Sequence, residues 1–161
     1  MATTSIGSSG TTFPDATLQT TAFVKGPAFS AYQSSSQSGF STSTWTKINF
    51  QTKEFDTNNN FDNATNYRFT PTVAGYYQVN ASYQSSGSGS DQSIALYKNG
   101  SIFKQGVLVS SYMVEPTVSA LIYCNGSTDY IEAYLYISGA GRSIAANAYQ
   151  TYFQASMTRS A

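Results

Sequence analysis

The chain has 161 residues, and its eight basic and eight acidic side chains balance to a formal charge of zero with no histidine. Charged residues make up only 10% and aromatic residues 15%, a mix too aromatic for disorder and lacking the basic cluster that a nucleic-acid backbone or an anionic membrane surface requires. The missing histidine removes the commonest general base, the Ser-His-Asp arrangement and histidine metal sites; the single Cys124 excludes an intrachain disulfide and a cysteine zinc site; and no apolar run reaches the roughly 20 residues of a membrane-spanning helix.

Residues 1–25 are rich in Ser, Thr and Gly and read as an extended N-terminal arm, with a head domain over 26–161. The first residues lack the basic start and apolar centre of a signal peptide, so synthesis without an export signal is expected. Within the arm Ile6, Phe13, Leu18 and Phe23 are spaced too irregularly for one strand or one helix face, and Pro14-Asp15 is a turn signal. Such residues suit a segment that docks its side chains one at a time onto another surface, which makes these four the anchor candidates.

From Gly26 onward strand-like runs recur between turn signals, with no useful helical period. "AFSAYQ", "WTKINF" and "NYRFT" give short strands. Phe69 ends one strand, "TPTVAG" turns the chain with Pro71 and Gly75, and Tyr77 begins the next facing the core. In "GYYQVNASYQ" Tyr77, Val79, Ala81 and Tyr83 alternate with polar residues, the period of a strand with one buried face. "SSGSGS", Ser85 to Ser90, reads as a flexible loop. "QSIALYKNGSIFKQGV" then gives a hairpin through Asn99-Gly100, a dipeptide that tolerates positive φ. "PTVSALIYCNG" and "TDYIEAYLYISGAG" read as strands flanking a second Asn-Gly turn at Asn125-Gly126, with Cys124 as a small buried hydrophobe. "NAYQTYFQASM" supplies the last strand. Eight to ten antiparallel strands with short turns make an all-β sandwich of jelly-roll type.

Several of these strands are apolar on both faces. In "DYIEAYLYISG" Ile131, Ala133, Leu135 and Ile137 share one face, and Tyr130, Tyr134 and Tyr136 the other; in the last strand Tyr149 and Phe153 oppose Tyr152. A sandwich buries one face per strand, so the second face calls for self-association, with Tyr130, Tyr134, Tyr136 and Tyr152 as interface candidates. Ordinary surface tyrosines are the alternative.

The stretch "FQTKEFDTNNNFDNATNYRFTPTVAGYYQVNA", Phe50 to Ala81, carries a spaced set of Phe50, Asp56, Phe61, Phe69, Gly75 and Tyr77. This set resembles the signature of the globular head of the first complement component, a jelly roll related to the tumour necrosis factor fold. One extra residue separates Phe61 from Phe69, and Val79 and Ala81 stand where aromatic residues are usual. The resemblance extends over roughly residues 27–157, and it implies a compact homotrimer around a threefold axis lined by aromatic faces. The arm phrase "SSGTTFPDATLQTTA", Ser8 to Ala22, resembles segments of bacteriophage tail-fibre and virion-appendage proteins that join a knob to a shaft or anchor.

The eight carboxylates sit mostly in turn contexts, so solvated turn roles outweigh a glycosidase pair. Some proteins of the resembled family hold calcium through hard oxygen ligands; Asp91 and Asp129 would be the candidates, but no loop spacing supports them. No cofactor or metal is expected. The loop "TNNNFDNATNY" offers Asn58, Asn59, Asn60 and Asn66 beside aromatic rings, materials for gripping a sugar or simply for making turns. The expectation is therefore a non-enzymatic phage structural protein, made in the host cytoplasm and displayed on the virion surface. It would be a homotrimeric knob fastened by its arm to capsid or appendage proteins, as a decoration or short-fibre protein. The alternative is a fibre tip that recognises a host surface glycan.

Overall fold

The computed structural model describes residues 26–86, 91–111 and 115–161, together with the backbone alone of residue 90 and of Ser5–Gly7, Gly10–Thr12 and Leu18–Gln19. Every regular element among them is a strand. The three arm segments, β1 (Ser5–Gly7), β2 (Gly10–Thr12) and β3 (Leu18–Gln19), pair with one another antiparallel in the order β1-β2-β3. The anchor candidates Ile6 and Leu18 fall in β1 and β3; Phe13 and Phe23 lie outside the described residues.

The head begins with β4 (Ala28–Tyr32), β5 (Gln37–Ser38), β6 (Thr46–Lys47), β7 (Thr52–Asp56), β8 (Phe61–Asp62) and β9 (Arg68–Phe69). It continues with the long strands β10 (Ala74–Ser82) and β11 (Ser90–Lys98), then β12 (Ser101–Gln105), β13 (Val109–Ser111), β14 (Thr117–Asn125), β15 (Ile131–Ile137), β16 (Ser143–Ile144) and β17 (Tyr152–Ser160). One five-stranded sheet runs β14-β10-β17-β4-β7; a seven-stranded sheet runs β12-β11-β15-β9-β8, with β13 also on β11 and β6 also on β15. All pairings are antiparallel, and the small β16-β5 pair completes the head.

Alternation decides which side of each strand goes inward. In β14 Val118, Ala120, Ile122 and Cys124 are buried while the residues between them are exposed. In β10 Tyr77, Val79 and Ala81 face inward, and in β15 Ile131, Ala133, Leu135 and Ile137 do so from the opposite sheet. The aromatic centre is Phe29, whose ring lies 4.6 Å from both Phe61 and Phe69 and 5.0 Å from Phe153. Fully burying such a ring stabilises the fold by about 1.5–3 kcal/mol. Two buried tyrosines keep their hydroxyls satisfied: Tyr77 donates to the Val73 carbonyl at 2.6 Å and Tyr83 to those of Ser93 and Tyr136.

The turns obey local chemistry. Asn99 and Gly100 adopt φ of 53° and 79°, the left-handed pair that lets β11 fold directly onto β12. At the second Asn-Gly, the Asn125 side-chain carbonyl accepts from the Ser127, Thr128 and Asp129 amides, each at 3.0 Å. This capped turn carries the chain between layers rather than making a hairpin, since β14 pairs with β10 and β15 with β11.

Four local expectations change. Gly75 lies inside β10 rather than in the turn, paired with Cys124 and Ser160, and a Cβ there would stand 2.4 Å from the Arg159 carbonyl. Only Thr46–Lys47 of "WTKINF" is strand. The "SSGSGS" loop shortens, with Ser85 bridging to Ile144 and Ser90 already in β11. The last strand starts at Tyr152: Asn147 Oδ1 accepts from the Tyr149 and Gln150 amides and winds a turn, which leaves Tyr149 81% exposed rather than on the Phe153 face.

Candidate association surface and polar cleft

The outer face of the seven-stranded sheet carries three of the four tyrosines singled out above, each part-exposed and each touching a neighbouring side chain of the same chain. Tyr134 stacks on Tyr97 with ring centroids 3.9 Å apart, Tyr136 packs against Trp45 at 5.5 Å, and the Arg68 guanidinium lies 4.4 Å over the Tyr130 ring. Lys47 approaches the Tyr134 ring while forming an ion pair with the buried Glu132. Burial pushes the Tyr134 hydroxyl up to about 12. Tyr152 sits in the other sheet, in register with Tyr32 and Ser82. The four residues therefore do not share one face.

The outer face of the five-stranded sheet is where large apolar groups stay bare. Tyr76 on β10 stands opposite Tyr123 on β14, their rings 5.4 Å apart, and Leu121 beside them is 55% exposed. With Thr158, Arg159, Ser160 and Ala161 of the chain end, Tyr76 and Leu121 line an open hollow of ≈ 620 Å³. Across the same face Phe55 on β7 is also exposed, in register with Ser30. Between these apolar ends lies a fixed polar centre, where Gln78 donates to Ser119 at 2.8 Å and Ser119 to Asn80 at 2.8 Å.

The adjoining side of the sandwich is bare too. β12 is exposed along its whole length and lies against β14 at the open edge. Ile102 and Phe103 on it, and Val107 and Leu108 after it, are all solvent-exposed. Gly106 makes this edge possible: a Cβ there would stand 2.2 Å from the Thr117 carbonyl, so only glycine lets the loop close onto β14. None of these residues was singled out from the sequence. The available signal was "ALIYC", in which Leu121 and Tyr123 put large apolar groups on the second face of a strand.

The Asn-rich loop forms a second candidate site, an open cleft of ≈ 450 Å³ lined by Lys53, Asn59, Asn60, Phe61, Asp62, Asn63, Asn66, Arg68, Thr70 and Thr72. Of the four amides expected to act there, Asn59, Asn60 and Asn66 line it. Asn58 does not; its side chain accepts from Thr57 and its carbonyl from Asn60. The walls are held by internal bonds. Lys53 Nζ reaches Asp56, Asn59 Oδ1 and the Phe61 carbonyl, and Asn60 Oδ1 accepts from Thr72. Asp62 accepts from the Thr65, Ala64 and Asn66 amides and the Asn66 side chain, which holds its carboxyl well below the usual carboxylate range. Arg68 and Lys53, both part of this cleft, were not anticipated.

The other carboxylates are committed likewise. Asp129 is bound by Asn99, Lys98 and the Asn125 amide, bonds that outweigh burial and hold its pKa low. Asp91 accepts from Ser110, Glu54 from Ser30, and Glu115 from Gln84 and Gln150. Among the described residues no group of three or more His, Cys, Asp or Glu side chains could hold a metal ion. Burial pushes the Cys124 thiol up to about 11, which keeps it protonated near neutrality.

No family model matches the chain, and no curated protein matches it. Solved structures do. The globular domain of the zebrafish complement 1qA protein matches with a TM-score of 0.61 at 17% identity, over 84% of this chain and 99% of that one. The PRD1 vertex protein P5 matches with a TM-score of 0.59 at 16% identity, over 83% of this chain and 74% of that one. Murine APRIL matches with a TM-score of 0.59 at 11% identity, over 81% and 98%. At these identities the likeness is one of fold, and it agrees with the jelly roll read from Phe50 to Ala81.

Proposed function

We propose that the chain is a non-enzymatic structural knob of a bacteriophage virion, a homotrimer held at the virion surface by its N-terminal arm. The observation that carries this reading is the pair of uncovered apolar surfaces: Tyr76, Leu121 and Tyr123 on the five-stranded sheet, and Ile102, Phe103, Val107 and Leu108 on the adjoining edge. Contiguous apolar surface of this kind marks an interaction site. The edge of one copy seated on the face of the next is a heterologous contact, which closes into a ring when the rotation allows. Three copies is the number that the complement-head resemblance implies, and the part-exposed tyrosines of the seven-stranded sheet remain on the outside of such a ring. The virion setting is supported by the fold shared with a vertex protein of PRD1 and by the phage-like phrase from Ser8 to Ala22. Capsid and appendage proteins are the partners this reading gives to the arm. Deleting residues 1–25 should leave a folded oligomer that no longer joins the virion; unchanged incorporation contradicts the anchoring role.

The polar cleft favours a second role, recognition of a host surface glycan, which an exposed knob can combine with the first. Its fixed amides and hydroxyls supply the mixture of donors and acceptors that sugar hydroxyls need.

A further inference from the structure

The cleft at the Asn-rich loop holds one charge that no described carboxylate answers. Lys53 is paired with Asp56 at 3.1 Å. Asp62 is saturated by its own loop, with four bonds of 2.8 to 3.0 Å. Arg68 stands opposite Asp62 in the β8–β9 register, yet the Asp62 carboxylate turns into its loop. Among the described residues the ion pairs join Lys47 to Glu132, Lys53 to Asp56 and Lys98 to Asp129, and none includes Arg68. Its planar guanidinium instead rests on the Tyr130 ring at 4.4 Å, and no side-chain hydrogen bond from it is made to a described residue.

Stacking fixes the plane of a guanidinium and leaves its edge free, and that edge is a fork of N–H donors spaced for a carboxylate. Around it the cleft presents further uncommitted polar groups. Asn59 accepts from Lys53 through its carbonyl, which leaves its NH₂ free; Asn63 donates to the Gln51 carbonyl, which leaves its own oxygen free; and Asn66 donates to Asp62 with the same result. Thr70, whose amide is spent on the Asn60 carbonyl, adds a hydroxyl. A rigid anion fork beside amide donors and acceptors matches a sugar ring that carries a carboxylate.

We propose that this cleft is a binding site for an acidic saccharide, with Arg68 clamping the carboxylate and Asn59, Asn63, Asn66 and Thr70 meeting the ring hydroxyls. It rests on the glycan-recognition reading above and narrows it to one ligand class.

The test uses the full chain and ligand-observed and protein-observed NMR with four probes: N-acetylneuraminate, glucuronate, glucose and acetate. The expected result is millimolar binding of the two acidic sugars, with shifts of the Asn59, Asn63, Asn66 and Thr70 amides and little response to glucose or acetate. Arg68→Gln should weaken the acidic sugars about tenfold, and Arg68→Lys less, because it keeps the charge and loses the fork. A fold control comes from an unchanged spectrum outside β8, β9 and β15. Equal binding of glucose overturns the acidic class and leaves glycan recognition standing, as does glycan-array binding confined to neutral sugars. Equal binding of acetate overturns the saccharide class and leaves a simple anion hole. No shift of the cleft by any sugar, together with a blank array, overturns this proposal and the glycan reading together.

Discussion

Tyr97 and Tyr134 stack face to face on the outside of the seven-stranded sheet, ring centroids 3.9 Å and planes 22° apart. Residues that look from the sequence like an unpartnered aromatic face are thus partnered across β11 and β15 of one chain. Tyr134→Ala should therefore destabilise each subunit by about 1–3 kcal/mol and leave the mass of the proposed trimer unchanged. Thermal unfolding combined with light scattering reads both; dissociation without loss of subunit stability would place the interface on this sheet instead.

The centre of the core makes the strongest stability statement. Phe29 contacts Phe61, Phe69 and Phe153 together, so Phe29→Ala removes a ring common to all three contacts and leaves a cavity between the layers. The expected loss is about 3–5 kcal/mol, measurable by denaturant titration. A loss below about 1 kcal/mol would mean that the layers can collapse onto the space.

Asp62 ties acid stability to the cleft. Its amide bonds favour the charged carboxylate, so its folded pKa lies below the ordinary 3.8. The resulting stabilisation is fully present above that value and is lost as pH falls below it. Unfolding midpoints measured between neutral and strongly acidic pH should drop at the acidic end, and Asp62→Asn should flatten part of that drop. An identical pH profile in the variant would remove Asp62 from the account.

Cys124 is fully buried on β14 and its thiol is pushed up to about 11. A thiol reagent at mildly alkaline pH should label it only after denaturant opens the sandwich. Prompt labelling of the native protein would show that β14 opens locally.

Much of the head could be read from local pattern, because alternation and turn chemistry act over a few residues. Tyr77, Val79 and Ala81 announce a half-buried strand, and Asn99-Gly100 announces its hairpin; both are as expected. What could not be read is which neighbour covers a second apolar face. Trp45 reaches Tyr136 from 91 positions away in sequence, a pairing fixed by the placement of β6 on β15 and by nothing local. The same limit hid Leu121 and Tyr123, whose exposure depends on no described residue packing over the outer face of β14. In the cleft the amides Asn59, Asn60 and Asn66 were visible as an Asn-rich run. Arg68 was not, since its role in the proposed site comes from its place over the Tyr130 ring, which the chain brings in just before β15.

Placing a charge on the bare face separates the two surfaces. Leu121→Glu puts a carboxylate where the proposed contact is dry, while the monomer tolerates it because the residue is 55% exposed. The expected outcome is a folded single chain, checked by circular dichroism and mass together; a folded, undissociated trimer would move the contact elsewhere.

Whether three copies close into a ring is read from the mass of the purified full chain at micromolar concentration by analytical ultracentrifugation. A closed ring gives a single species near three times the 17.3 kDa of the chain. A clean species at 17.3 kDa would contradict it.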